Sequence, residues 1–109
     1  MSRRSRGPEL TVIEWRGIPA QVTARHGRAI EKLELPLRFQ RAIDVLSMRL
    51  GLDGTDDYLD AWERRTRPCG PDLVAEVRAE AERLEGAFDA TTLRTMSGAT
   101  PDEKGSPTA

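Results

Sequence analysis

The sequence predicts a small α+β domain, an N-terminal β-hairpin followed by three or four α-helices packed as one unit. Three observations carry this expectation. Residues 10–25 are dense in β-branched and alternating apolar side chains, a glycine divides that run in two, and residues 36–96 carry apolar positions at helical spacing.

In the first strand, predicted over Leu10 to Arg16, Leu10 and Val12 share one face while Thr11, Ile13 and Trp15 share the other. Both faces are thus largely covered, as an inner strand requires. The second run sets Ile18, Ala20, Val22 and Ala24 against Pro19, Gln21, Thr23 and Arg25, the period of a half-exposed strand. Pro19 has no ladder donor, which assigns this strand to an edge. Arg16-Gly17 is the length of a tight hairpin turn, with Gly17 free to take positive φ. Two strands alone are rarely stable in water, so the ribbon is expected to lie against helices or to extend a partner's sheet.

After His26-Gly27, the stretch Arg28 to Leu35 reads as a short helix broken at Pro36, which fits the first turn of the next one. Phe39, Ala42, Ile43, Leu46 and Leu50 then fall on one face of the main core helix, while Arg38, Arg41 and Asp44 face away. Gly51 or Gly54 ends it. Thr55 suits the N-cap of a second helix with Asp56 and Asp57 in its first turn, Tyr58, Leu59 and Trp62 on its buried side, and Arg64, Arg65 and Arg67 at its end. Pro71 opens a longer helix whose apolar stripe is Leu73, Val77, Ala81, Leu84 and Phe88; its acids Glu76, Glu80 and Glu82 read as a solvated face partly paired with Arg78 and Arg83. Asp89 caps a final short helix anchored by Leu93.

The chain has 109 residues, 38% hydrophobic and 32% charged, the balance of a helix-rich soluble domain with one small core. Residues 1–8 read as a basic disordered arm, 9–96 as the single domain, and 97–109, rich in Gly, Pro, Ser, Thr and charge, as a disordered tail. No apolar run reaches the roughly 18 residues of a membrane span, and the basic start has no apolar segment behind it. A cytoplasmic location is expected. The single Cys69 fits a reducing compartment, and neither a metal set nor a cofactor motif is found. Residues 1–50 hold ten Lys/Arg against five Asp/Glu, and residues 51–109 seven against thirteen, so the formal net charge of −1 hides an uneven distribution. Such a split steers a partner or biases self-association, or else reflects solvated helix faces plus a basic arm.

Few residues carry chemistry. Arg25, His26 and Arg28, with Gly27 between them, form a candidate anion-binding site for phosphate or carboxylate; the alternative is a solvated connecting loop. No orienting carboxylate or companion ligand stands near His26, the only histidine. Asp53 to Asp57 resembles the start of a calcium loop, but Tyr58 and Arg64 occupy the glycine and bidentate glutamate positions, so helix capping explains these acids. Cys69 reads as a spectator thiol, and no serine or threonine sits in a nucleophile or phosphate-loop pattern. An enzyme is not expected. Arg3, Arg4 and Arg6 supply the alternative of a nucleic-acid-associated protein, although a recognition helix beginning Thr55-Asp56-Asp57 would repel phosphates. The aromatic residues read first as core. A chain this short has difficulty burying all of them, which favours a protein partner or homo-oligomer meeting the ribbon at Trp15, Arg16, Pro19 and Gln21.

The blocks Thr11 to Val22, Phe39 to Asp44, Met48 to Leu52 and Thr55 to Trp62, in this order, resemble small bacterial proteins of the virulence factor domain family, with the likeness spanning about residues 9–96. The family brings no catalytic residues to assign. The resemblance implies an accessory subunit of a one-carbon or corrinoid methyltransferase system, because family members often sit beside genes for folate or corrinoid enzymes. No residue here forms a recognisable pterin or cobalamin site. The expectation is therefore a small, soluble, non-catalytic protein-interaction domain.

Overall fold

The computed structural model of the chain describes residues 7–98. Of the expected arm over 1–8 only Gly7 and Pro8 fall within that range, and of the expected tail over 97–109 only Ser97 and Gly98. The architecture is α+β. The order is β1 (Glu9–Trp15), β2 (Ile18–His26), β3 (Ala29–Glu34), α1 (Leu37–Arg49), α2 (Asp56–Asp60), β4 (Trp62–Pro68), α3 (Leu73–Ala87) and α4 (Ala90–Met96). The strands form one antiparallel sheet in the order β3-β2-β1-β4.

The hairpin of β1 and β2 is present, with Trp15 opposite Ile18 across Arg16-Gly17. Both turn residues take positive φ, 48° and 90°, the pattern of a type I′ turn, whose hand matches the strand twist. β1 is an inner strand, as expected. β2 is one too, which corrects the edge assignment made from Pro19. Ile13 pairs with Gln21 but Glu14 pairs with Pro19, so Ala20 is an extra residue and Pro19 stands at a β-bulge. A bulge tolerates a missing donor as an edge does. β3 runs beside β2 only from Gln21 onward, and the Leu35 amide donates to the Ala20 carbonyl to close the gap.

Two predicted helical segments are strands. Residues 28–35 carry helix-forming Glu, Lys and Leu, yet the turn at Gly27-Arg28, with Gly27 at φ 64°, returns the chain into pairing with β2, and ladder formation overrides propensity. The helix starting after Thr55 stops at Asp60, so Trp62 and the arginines 64, 65 and 67 extend along the free edge of β1 instead of ending a helix. The Cys69 amide continues this ladder to the Pro8 carbonyl at 3.1 Å. The sheet is therefore twice as wide as the hairpin expected from sequence.

The remaining helices follow local signals. Pro36 is the N-cap of α1, one position before the expected first turn. α1 ends in a Schellman motif: Gly51 at φ 72° lets the Leu52 amide reach the Ser47 carbonyl and its own amide reach Met48. Thr55, Asp72 and Asp89 accept from the amides of Tyr58, Ala75 and Thr92 as side-chain N-caps. One part of the core sets Leu10, Val12, Val22 and Ala24 of the sheet with Leu73, Val77, Ala81 and Leu84 of α3. Phe39, Ala42 and Ile43 of α1 and Leu93 of α4 complete it, with the Phe39 and Phe88 rings 6.1 Å apart. Leu50 and Leu59, expected in the core, are 46% and 64% exposed because their helices end beside them. Among the described residues no helix is long and apolar enough to cross a membrane.

Two measurements test this frame. Arg16 is a non-glycine residue held at φ 48°, a region that costs an ordinary L-residue about 1 kcal/mol and asparagine less. Arg16→Asn is expected to raise the thermal midpoint by several degrees, and an unchanged or lower midpoint would contradict the turn assignment. Trp15→Phe keeps an aromatic ring but removes the indole hydrogen bond to the Tyr58 carbonyl. A loss of about 1–3 kcal/mol is expected in urea unfolding.

Candidate functional site

The structure disperses the predicted anion site. Arg25, His26 and Arg28 are all exposed, but strand alternation sends Arg25 and His26 to opposite faces and Arg28 lies in the turn beyond them. Arg25 lines a polar trough with Glu9, its cross-strand neighbour, and Arg64. The four ribbon residues also separate. Trp15 and Pro19 are fully buried, so neither presents a side chain to a partner, and Arg16 is exposed at the hairpin turn. Gln21 alone of the four lines a cavity on the sheet's open face.

That cavity is one of several concave sites on the described residues. It encloses about 390 Å³ between the sheet and the first turn of α1, within the range of ligand and side-chain pockets. Ile13, Ala20, Leu35, Leu37 and Trp62 supply its apolar walls, and Gln21, Glu34 and Gln40 its polar groups. The bulge matters here. The extra residue lets Ala20 and Gln21, adjacent in sequence, line one cavity, which regular alternation forbids. Tyr58 stands edge-on to Trp62 at 6.2 Å and 87°, fixing that wall, and Gln40 donates from Nε2 to the Asp44 carboxylate at 2.9 Å, fixing its amide. Beyond Ile13 and Gln21 the same face continues as the polar trough, where the Thr11 and Thr66 hydroxyls lie 2.9 Å apart. No serine, threonine, cysteine, lysine or histidine is among its lining residues. What it offers is an apolar seat with two amides and a carboxylate at its rim.

A second cluster lies on the opposite face, between β4 and α3. Glu14 and Glu80 are buried, and three exposed arginines hold them. Arg65 Nε meets Glu14 Oε2 at 2.8 Å, and Arg67 Nη2 and Arg83 Nε each meet Glu80 Oε1 at 3.1 Å, with a further Arg83 contact to Oε2. Burial pushes the Glu80 carboxyl up, but the hydrogen bonds from Arg83 and Arg67 outweigh it and hold the group below its ordinary range. Glu80 is thus not part of a solvated face. The cluster fastens the edge strand to the helix, and both carboxylates have their charge met by protein groups. Burial and the Glu76 carboxylate push the Cys69 thiol up, against the effect of Arg67, so it is poorly suited to act as a thiolate. Among the described residues no group of three His, Cys, Asp or Glu side chains is placed to hold a metal.

The cavity is not legible as a unit in the sequence, because its walls come from all four strands and α1. The signals present are Ile13 on the strand face opposite Leu10 and Val12, and Pro19 inside an alternating run. The ordered blocks that build this face are also those that carry the family likeness, and a family model described as Virulence factor matches residues 13–96. The chain belongs to the Virulence factor family. No curated protein and no solved structure matches the family member described here.

The Glu80 cluster yields a pH test. A carboxylate whose folded pKa lies below its unfolded value stabilises the fold above the ordinary value of 4.5 and loses that contribution as pH falls through the folded pKa. Glu80→Gln is expected to cost about 1.5–3 kcal/mol near neutrality by chemical denaturation. The gap between wild type and variant should close as pH falls through the folded pKa of Glu80; a gap independent of pH would refute the charged role.

Proposed function

We propose that this Virulence factor family member is a non-catalytic protein-interaction domain that receives an apolar side chain of its partner in the cavity between Ile13, Leu37 and Trp62. The observation that carries the reading is the chemical character of the cavity. Its walls are apolar, Tyr58 holds Trp62 edge-on, Leu37 is 62% exposed at its lip, and Gln21, Gln40 and Glu34 provide the donors and acceptor that a peptide backbone needs. An apolar anchor ringed by polar groups is the usual make-up of an interface hot spot. The family likeness supports a finer form of the reading, in which the partner is an enzyme of one-carbon or corrinoid methyl transfer and this chain is its accessory subunit.

Leu37→Asp tests the cavity without unsettling the fold, because the residue is exposed and opens α1, where an acid is favoured by the helix dipole. Affinity purification from the native host should recover a stoichiometric partner with wild type and with the control Arg28→Ala, and lose it with Leu37→Asp at an unchanged thermal midpoint. Equal recovery by Leu37→Asp, or no stoichiometric partner with wild type, would overturn the reading. Recovery of a protein unrelated to methyl transfer would keep the interaction role and discard the finer one.

A further inference from the structure

α1 and α4 enclose a groove of about 300 Å³ on another part of the molecule. Its apolar lining comes from Ala42, Val45 and Leu93, and three arginines, Arg38, Arg41 and Arg94, stand around it. Arg38 is locked in place. Its guanidinium donates to the carbonyls of Glu85 at 3.0 Å and Phe88 at 3.3 Å, capping the C-terminus of α3, and lies 4.9 Å from the centre of the Phe39 ring. These partners are neutral, so its charge persists. Neither Arg41 nor Arg94 forms an ion pair within the described residues; Arg94 reaches only the Thr91 hydroxyl. Asp89, the N-cap of α4, acts on Arg38 through its charge but forms no ion pair with it. The result is an apolar groove ringed by three guanidiniums that form no ion pair among the described residues.

The same chain carries a surface of the opposite character. α2 and the loop before it present Asp53, Asp56, Asp57 and Asp60, all exposed and none in an ion pair among the described residues. Leu59 projects from this acidic segment with 64% of its surface exposed. A large aliphatic side chain ringed by carboxylates fits an apolar groove ringed by guanidiniums in both charge and polarity. Arg65, Arg67 and Arg83 are not competitors for it, because their charges are met by Glu14 and Glu80.

We propose that this protein self-associates by seating the acidic α2 segment of one copy, with Leu59 as the anchor, in the arginine-lined α1–α4 groove of a second copy. In a two-fold dimer each copy gives one α2 and one groove, so the contact is made twice and closes. It uses neither Leu37 nor Trp62, and it leaves the cavity on the open sheet face available.

The test is a charge swap read by sedimentation equilibrium of the full chain. Wild type should populate a concentration-dependent dimer at low ionic strength that weakens as salt screens the pairs. The double variants Arg41→Asp/Arg94→Asp and Asp53→Lys/Asp60→Lys should each weaken self-association at least about tenfold, while an equimolar mixture of the two recovers a heterodimer. These positions are exposed and none is a helix cap, and unchanged thermal midpoints confirm that each variant is folded. Leu59→Ser should weaken the dimer at any salt concentration. Leu37→Asp should leave it intact, which separates this proposal from the role of the cavity. A monomer at all concentrations, or a dimer indifferent to both charge reversals, or failure of the mixture to recover association, would overturn it.

Discussion

The fold depends on β1 being paired along both edges. A strand with partners on each side satisfies its backbone groups wholly within the sheet, and where a face is covered it needs side chains that tolerate burial. Leu10 and Val12 meet this on the α3 side. On the other face Trp15 does so at the end of the strand, fully buried, with its ring 5.4 Å from Tyr58 and its indole nitrogen 2.8 Å from the Tyr58 carbonyl. This one side chain therefore positions α2 against the sheet. Through Tyr58 it also positions Trp62, the residue opposite it in β4. Loss of a buried aromatic side chain of this kind costs about 3–5 kcal/mol, a large share of what a domain of this size has in total.

Pairing both edges of β1 transfers the exposed edges to β3 and β4, and the chain handles each by charge. β3 carries Glu31, Lys32 and Glu34, and β4 carries three arginines and ends in Pro68, all features that oppose edge-to-edge aggregation. β4 contributes almost nothing to the apolar core. Beyond the ladder it is attached on the α3 side by Arg65 to Glu14 and Arg67 to Glu80, and on the open face by Trp62 against Tyr58 and Thr66 against Thr11. Because the carboxylates are buried and the guanidiniums exposed, the cost of desolvation falls mainly on the acids, and hydrogen bonds from several arginines offset it at Glu80.

What is legible in the sequence is whatever depends on neighbours along the chain. The hairpin turn at Gly17, the glycine ending α1, the caps at Thr55 and Asp89 and the stripe of α3 are all local signals, and each is found where the sequence places it. The misread segments are those whose conformation is set by a distant strand. Residues 29–34 and 62–68 have no apolar alternation to announce a strand, because both lie at edges with exposed side chains; only the free edges of β2 and β1 make them strands. The same distinction explains the candidate sites. Arg25, His26 and Arg28 are adjacent in sequence and dispersed by alternation, whereas Ile13, Leu37 and Trp62 are distant in sequence and joined by the sheet. Glu14 does carry a signal of its own, since a single acid in an otherwise apolar inner strand requires a cationic partner.

Charge shows the same effect. By sequence halves the chain divides into a basic first part and an acidic second part, but folding does not preserve that division. Arg38 and Arg41 come from the first half and Arg94 from the second, and they meet at one groove; β4 brings three further arginines from the second half alongside β1. The acids of α2 remain together because they are contiguous. Buried carboxylates pair with Arg65 and Arg67 of β4, whereas Arg64, on the open face, and the arginines at the groove form no ion pair among the described residues. Two patches of unlike character result, one basic and concave, the other acidic with a protruding leucine. A net charge of −1 conceals this, and in the self-association proposed above such near-neutrality would spare two copies strong overall repulsion.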